Sequence, residues 1–321
     1  MSASTQDSVI ETFGLTRYFG ARKAVDSLTM AVPRGSVFAF LGRNGSGKTT
    51  TIRMLLGLIA PTRGSSRIFG EDSQRLSPAT RARIGYISES HSLIDWMTVR
   101  QNGAFQSRFY PTWNERIFAS IVDHFQLHPT ARAGILSRGE RAGLSLAITL
   151  APEPELLILD DPALGLDPVA RRSLLESMIY VTRRSNRTIL FSSHLLDDVE
   201  RVADYLGILD RSVLRACCSV EAFRASVHQF VAVFPAGTRR PAPLPVIRGL
   251  LSARTVADEL RLVIVRPDEA TRAALQSLGA ASIEQRPIAL TDALVGYLGD
   301  RGNMLSFLDD PAAAVGEQEV A

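Results

Sequence analysis

One short glycine-rich segment constrains the fold of this chain more than any other feature. Its spacing is G-x-x-x-x-G-K-T, and its residues are Gly42, Arg43, Asn44, Gly45, Ser46, Gly47, Lys48, Thr49 and Thr50. An apolar run over 37–41 precedes it with the length of a buried strand, and apolar residues at helical spacing follow it over 51–58. Between a strand and a helix, such a loop surrounds phosphate groups with backbone N–H donors, and the helix N-terminus stabilises negative charge. The sequence therefore predicts an α/β sheet with a nucleotide-phosphate site at the end of one strand.

Two side chains at the end of this loop have defined chemical roles in such sites. Lys48 is expected to reach the β- and γ-phosphates of the nucleotide, and the Thr49 hydroxyl is expected to bind Mg²⁺. The alternative is a glycine-rich turn with no ligand. The lysine, the threonine and both flanking elements make nucleotide binding the stronger interpretation.

Two adjacent carboxylates follow a second apolar run. Residues 156–159 are Leu-Leu-Ile-Leu, and Asp160 and Asp161 come directly after them. A buried parallel strand places the residue at its carboxyl end at the edge of the sheet where α/β folds bind ligands. Asp160 is therefore predicted to hold Mg²⁺ together with Thr49, and Asp161 to orient or deprotonate water near the γ-phosphate. In isolation, the same segment would equally be a strand followed by a polar turn.

Composition narrows the range of partners. The net charge is +3 over 321 residues and no block of Lys or Arg stands out, so nucleic acid is not expected as a partner. No apolar run approaches the roughly 20 residues that cross a bilayer, so a membrane function would need a second chain to supply the spans. Cys217 and Cys218 are adjacent, which indicates a reducing compartment rather than a disulfide framework.

A third motif lies between the phosphate loop and the paired carboxylates. The segment 136–140 reads Leu-Ser-Arg-Gly-Glu and opens a helix-like run, with Ser137 as the candidate N-cap. At this position it resembles the signature motif of the ATP-binding cassette family. Other motifs of that family have counterparts here in the expected order: Phe19 as the aromatic that stacks on adenine, with Tyr18 as the alternative, Glu89 in the Q-loop, 164–167 as the D-loop, and His194 as the switch histidine that senses the γ-phosphate.

The resemblance implies ATP and Mg²⁺ as cofactors. It gives catalytic roles to Asp161, His194 and Glu89, and it gives metal ligation to Thr49, Glu89 and Asp160. The family's activity is ATP hydrolysis coupled to transport across a membrane. The sequence resembles the exporter-type members most, the ABC-2-like cassettes.

The resemblance also implies a homodimer or a paired cassette, packed head to tail. Ser137, Gly139 and Glu140 of one copy would complete the ATP site of the other copy. ATP binding would close this dimer and hydrolysis would release it. The implied partner is a separate transmembrane permease subunit, which would place the chain in the cytoplasm, peripheral on the inner face of the cell membrane.

The chain departs from the family at two positions of the site. Asp161 stands where the family has glutamate, so its carboxylate lies about 1.5 Å further back, and misplacement by ~1 Å costs on the order of 100-fold in rate. We therefore expect Asp161 to act as the general base of a slow hydrolysis. Glu89 stands where the family has glutamine, and a carboxylate there retains the ability to bind Mg²⁺ or position water.

The predicted fold is a phosphate-loop NTPase sheet of the α/β class, flanked by helices. An antiparallel β edge, an inserted helical subdomain and a small C-terminal α/β appendage complete it. The predicted domains are the ATPase over 8–225, with its helical subdomain at about 90–135, a small α/β domain over 226–300 and a flexible tail over 301–321. Two alternatives stay open: a cassette ATPase that acts on a soluble assembly, and a binding-only regulatory cassette.

Overall fold

The computed structural model describes residues 7–185, 187–235, 244–256 and 258–298. The tail predicted over 301–321 lies outside these residues. The chain divides into two compact units, 1–223 and 224–321. Within the described residues, every helix is too short or too polar to span a lipid bilayer.

The first unit combines one large sheet with helices. Its strands are β1 (Ser8–Phe19), β2 (Arg22–Pro33), β3 (Val37–Leu41), β4 (Arg63–Ile68), β5 (Glu71–Asp72), β6 (Ile84–Ile87), β7 (Leu156–Leu159), β8 (Thr188–Ser193), β9 (Tyr205–Asp210) and β10 (Val213–Ser219). Its helices are α1 (Lys48–Leu55), α2 (Pro78–Ala82), α3 (Val99–Ser107), α4 (Glu115–His124), α5 (Arg138–Leu150), α6 (Pro168–Ser185), α7 (Leu196–Val202) and α8 (Val220–Ser226), the last of which crosses into the second unit.

The large sheet has a parallel half and an antiparallel half. Its strand order is β5-β4-β1-β2-β10-β9-β3-β8-β7-β6. Successive strands from β9 to β6 pair in parallel with one another, whereas β10 pairs antiparallel with β9, and β1 pairs antiparallel with both β2 and β4. This arrangement confirms the predicted α/β sheet with an antiparallel edge.

Burial on both faces explains why the sequences of the central strands are continuous apolar runs. All five residues of β3 and all four of β7 are buried, because helices cover both faces of a parallel sheet. The core beneath the phosphate loop includes Phe38 and Phe40 from β3 and Ile52, Met54 and Leu55 from α1, each fully buried. Each such side chain contributes about 1.5–3 kcal/mol, so β3 and α1 hold the intervening loop on a rigid support.

The helices α3, α4 and α5 form a separate apolar core. Phe118 and Val122 of α4 pack with Leu144 and Ala147 of α5. The N-termini of all three helices are capped by side chains: Thr98 for α3, Asn114 for α4 and Ser137 for α5. The predicted N-cap at Ser137 is confirmed.

Within its described residues, the second unit contains a small antiparallel sheet and two further helices. Its elements are β11 (Val227–Val233), β12 (Leu250–Val256), β13 (Glu259–Val265), α9 (Glu269–Gln276), β14 (Ser282–Arg286) and α10 (Leu290–Leu298). The strand order is β12-β13-β11-β14, and its core includes Phe230, Leu262 and Leu275. The small C-terminal α/β appendage of the predicted fold is confirmed.

Candidate functional site

Four neighbouring strands of the parallel half deliver polar side chains to one edge of the sheet. These strands lie in the order β3, β8, β7 and β6. The phosphate loop follows β3, His194 follows β8, the paired aspartates follow β7, and Glu89 comes after β6. The carboxyl edge of a parallel sheet is where such folds bind ligands, so the strand order alone assembles these residues.

The phosphate loop holds a buried lysine, and within the described parts of the chain its ammonium group has no carboxylate at hydrogen-bond distance. Lys48 is 7% exposed, and its Nζ donates to the carbonyl oxygens of Gly42 at 2.7 Å and Arg43 at 3.4 Å. Burial lowers the pKa of Lys48, and the charges of Asp161, Asp160 and Glu89 oppose that shift. The buried hydroxyl of Ser46 has no hydrogen-bond partner among the residues that the structure describes. A phosphate group would supply the missing negative charge and acceptors.

A chain of hydrogen bonds joins the loop to the paired aspartates. The Thr49 hydroxyl donates to Oδ1 of Asp160 at 3.0 Å. The same oxygen accepts a hydrogen bond of 2.9 Å from the Ser192 hydroxyl, and Ser192 in turn accepts from the backbone N–H of Asp161 at 2.8 Å. Ser192 is fully buried. It therefore fixes the carboxylate of one aspartate and the backbone of the next.

Asp161 adopts an unusual backbone conformation and contacts the histidine. Its φ angle is +47°, in the left-handed region that aspartate tolerates better than most residues. Oδ2 of Asp161 lies 2.9 Å from Nδ1 of His194. Asp161 is 7% exposed, so its carboxylate lies at the wall of the site and is hydrogen-bonded to the histidine.

A cavity of about 500 Å³ opens over the phosphate loop, a size typical of small-molecule sites. Its lining brings together predicted residues from four separate parts of the sequence: Phe19, Asn44, Gly45, Gly47, Lys48, Thr49, Thr50, Glu89 and Asp161. Gly42, Arg43, Ser46 and His194 lie outside this lining.

One face of the Phe19 ring is covered, and its side chain borders the cavity. The guanidinium of Arg17 lies 4.8 Å from the ring centre of Phe19. Tyr18, the alternative aromatic, lies 5.6 Å from the ammonium of Lys23 and is absent from the cavity lining. Because side chains alternate along a strand, Tyr18 faces away from Phe19.

The signature segment lies apart from this cavity. Ser137 and Glu140 form a capping box, in which the Ser137 hydroxyl accepts from the backbone N–H of Glu140 and the Glu140 carboxylate accepts from that of Ser137. Ser137, Gly139 and Glu140 are absent from the cavity lining. Their neighbour Arg138 borders a second cavity of about 570 Å³, together with Thr49 and Asp160. Ser137, Gly139 and Glu140 therefore lie outside the cavity over the phosphate loop of their own chain, whereas Arg138 borders the neighbouring one.

The donor set beside Lys48 suits a magnesium ion. Thr49, Asp160 and Glu89 all border the second cavity and supply a hydroxyl and two carboxylates. Mg²⁺ prefers oxygen donors, and it binds through one or two carboxylates with waters and phosphate oxygens completing its shell. The described residues contain no group of three or more His, Cys, Asp and Glu placed to hold a metal. Mg²⁺ does not need such a group, because one or two carboxylates suffice when waters and phosphate oxygens are its other ligands.

Comparison with known proteins agrees with this geometry. A family model described as ABC transporter matches residues 25–164. The bacitracin transport ATP-binding protein BcrA of Bacillus licheniformis is 37% identical over 209 residues, which are 64% of this chain and 68% of BcrA. A Nod factor export ATP-binding protein I of Rhizobium sp. (strain N33) is 30% identical over 298 residues, which are 90% of this chain and 97% of that relative.

The chain belongs to the ABC transporter family. A solved structure, an ATP-binding subunit of an ABC transporter, matches with a TM-score of 0.61 and 28% identity, over 68% of this chain and 92% of that one. The predicted family and function are confirmed: this ABC protein is the ATP-binding, ATP-hydrolysing subunit of an exporter-type transporter.

Two residues of this ABC site were not singled out from the sequence. Ser192 follows the apolar run over 188–191, and only the strand order places its hydroxyl between the side chain of Asp160 and the backbone of Asp161. Arg22 borders the cavity over the phosphate loop, but it is the first residue of an ordinary strand and belongs to no motif in the sequence. The Ser-Ser-His run at the end of β8 was a usable signal for Ser192, whereas Arg22 carried none.

Replacing Ser192 by alanine is expected to lower the free energy of unfolding by about 1–3 kcal/mol. The change leaves the backbone N–H of Asp161 without its partner in a buried position, and an unsatisfied buried donor has about that cost. Thermal or denaturant unfolding of the nucleotide-free protein measures the effect. Ser192→Thr keeps the hydroxyl and serves as the control; equal stability of the alanine variant and the wild type would contradict the bridging role.

Proposed function

We propose that this ABC ATPase binds Mg²⁺–ATP with the residues assembled at the carboxyl edge of the sheet. Phe19 stacks on the adenine. Backbone N–H groups of the loop 42–49 and Lys48 bind the phosphates, while Thr49 and Asp160 hold Mg²⁺ with Glu89 beside them. A bound Mg²⁺ ion would neutralise negative charge at the transferred phosphoryl group.

The observation that carries this proposal is the continuous hydrogen-bonded chain from Thr49 through Asp160 and Ser192 to the backbone of Asp161. It couples the phosphate loop to the proposed general base without help from any other chain. Asp161 accepts the proton of the attacking water, and His194 fixes the orientation of the Asp161 carboxylate. The short side chain of Asp161 keeps the carboxylate close to the histidine and makes hydrolysis slow.

Release of phosphate by the purified chain tests this assignment directly. Hydrolysis of ATP should require Mg²⁺ and should be slow but measurable under steady-state conditions. A second candidate, a cassette that binds ATP without hydrolysing it, is favoured by the short carboxylate at position 161. Tight ATP binding without any phosphate release above background would establish that second function and exclude the first.

Two copies of this chain are proposed to share each ATP. The separation of Ser137, Gly139 and Glu140 from the nucleotide cavity of their own chain supports this arrangement. The capping box leaves the N-terminus of α5 preformed, and a helix N-terminus attracts anionic groups. Closure then follows from contacts with the γ-phosphate that exist only in the dimer.

Analytical ultracentrifugation measures this association. ATP with EDTA, which prevents Mg²⁺-dependent hydrolysis, should convert the monomer to a dimer, while ADP should leave it monomeric. A monomer in both nucleotides would contradict the head-to-tail pairing of two copies.

The proposed assembly includes a separate transmembrane permease subunit, with this chain peripheral on the cytoplasmic face of the membrane. The exposed aromatic surface of the helical part, where Trp96 is 70% and Phe109 is 63% exposed, supports a docking role there. Two measurements test this proposal. A membrane protein should co-purify with the chain, and the chain should be lost from the membrane fraction when that partner is deleted.

A further inference from the structure

A basic side chain stands directly opposite the proposed adenine platform. Phe19 ends β1 and Arg22 begins β2, and the two residues are paired across the tight turn that joins the strands. Directly opposed residues of an antiparallel pair project their side chains from the same face of the sheet. Phe19 and Arg22 both border the cavity of about 500 Å³ that also contains Lys48.

The guanidinium of Arg22 lies against the phosphate loop. A Cβ atom placed on Gly45 would be 3.4 Å from Nη2 of Arg22, an ordinary van der Waals distance. Gly45 belongs to the loop proposed to surround the phosphates, whereas Phe19 is the residue proposed to stack on the adenine base. Arg22 therefore stands between the two ends of the proposed nucleotide site, where the α- and β-phosphates of a bound nucleotide would lie.

The adjacent cation has a different environment. Lys23 already has an anionic and an aromatic partner on the opposite face of the strand pair. Its Nζ lies 2.7 Å from Oδ2 of Asp26 and 5.6 Å from the ring centre of Tyr18. Arg22 has no such carboxylate partner among the residues that the structure describes. Its charge is thus available to a ligand in the cavity.

We propose that Arg22 binds the α- and β-phosphates of the nucleotide as a second cation of the site, across the loop from Lys48. This inference rests on the nucleotide site proposed above. A planar guanidinium matches two phosphate oxygens with parallel hydrogen bonds. Lys48 approaches the phosphates from inside the loop, and Arg22 approaches them from the β1–β2 turn.

The contact predicts a loss of affinity that is equal for triphosphate and diphosphate. A charge-assisted hydrogen bond corresponds to about a ten- to hundredfold change in dissociation constant. Arg22→Ala should therefore weaken the binding of ADP and of the non-hydrolysable analogue AMP-PNP by the same factor, in that range. Arg22→Lys keeps the charge but loses the fork of donors, and it should fall between Arg22→Ala and the wild type.

Calorimetric titration of the full-length variants with AMP-PNP and ADP tests the proposal. Lys23→Ala is the matched control, because it removes the neighbouring cation from the other face. Thermal unfolding without nucleotide should be the same for Arg22→Ala and the wild type, since the side chain is exposed, while the stabilisation by nucleotide should be smaller for Arg22→Ala.

Lys48→Ala separates the two proposals. If the wild type does not bind nucleotide, or if Lys48→Ala binds as tightly as the wild type, the proposed nucleotide site is wrong. If Lys48→Ala weakens binding but Arg22→Ala behaves like Lys23→Ala, the role of Arg22 alone is wrong. A loss confined to AMP-PNP would also overturn it, because it would place the contact on the γ-phosphate.

Discussion

Asp161→Asn is expected to lower the rate of ATP hydrolysis by about 100- to 1000-fold while leaving ATP binding intact. A positioned general base contributes roughly 10²–10⁴-fold to such reactions, and a carboxamide accepts no proton at neutral pH. Asparagine tolerates the left-handed backbone conformation as well as aspartate does, so the φ angle of +47° introduces no new strain. Its side chain also retains an oxygen that faces His194.

Steady-state phosphate release and equilibrium ATP binding, measured on the same preparation, distinguish chemistry from affinity. The expected pattern is a large fall in kcat with a dissociation constant for ATP close to that of the wild type. Turnover within a factor of about two of the wild type would exclude Asp161 as the base, since that is far less than the loss of a general base.

Asp161→Glu is the informative companion variant. Glutamate extends the carboxylate toward the phosphate by one methylene, but it is less suited than aspartate to a left-handed φ. The hydrogen bond of 2.9 Å between Asp161 and His194 fits the shorter side chain. Faster turnover in Asp161→Glu would show that reach limits the wild type, and slower turnover would show that the backbone and histidine are adapted to aspartate.

The parts of the site that the sequence predicted are those with local causes. The phosphate loop needs only its own glycines and lysine between a strand and a helix, so Lys48 and Thr49 could be located from spacing. Asp160 follows from its position at the end of an apolar run. The bond from Thr49 to Asp160 at 3.0 Å agrees with the predicted proximity of these two residues.

The parts that could not be predicted depend on sheet order and register. β8 lies between β3 and β7, although it follows both in the sequence, and only this order inserts Ser192 between the paired aspartates. The position of Arg22 depends on its register with Phe19 across the β1–β2 turn. The placement of β8 is set by long-range packing, which no short window of sequence contains. The pairing of Arg22 with Phe19 is local and is set by the turn that joins their strands.

Gly47→Ala is expected to raise the dissociation constant for ATP by at least about 100-fold, equivalent to a loss of about 2.8 kcal/mol of binding free energy. Gly47 has φ = +113°, where an L-residue is strained by about 1–3 kcal/mol. A Cβ at this position would also overlap the carbonyl oxygen of Ala24 and lie 3.2 Å from Cγ2 of Val25. Both neighbours are buried residues of β2, so moving them aside is costly.

The loop must therefore shift, and it carries the first N–H donors of α1 with it. Gly45→Ala is the matched control, because Gly45 also has a positive φ, +78°, but a Cβ there would meet only the mobile end of Arg22. That variant should lose affinity through backbone strain alone, by less than Gly47→Ala. ATP titration and thermal unfolding of the two variants measure the difference. Equal affinities would mean that the close packing of the loop against β2 does not control the geometry of the phosphate site.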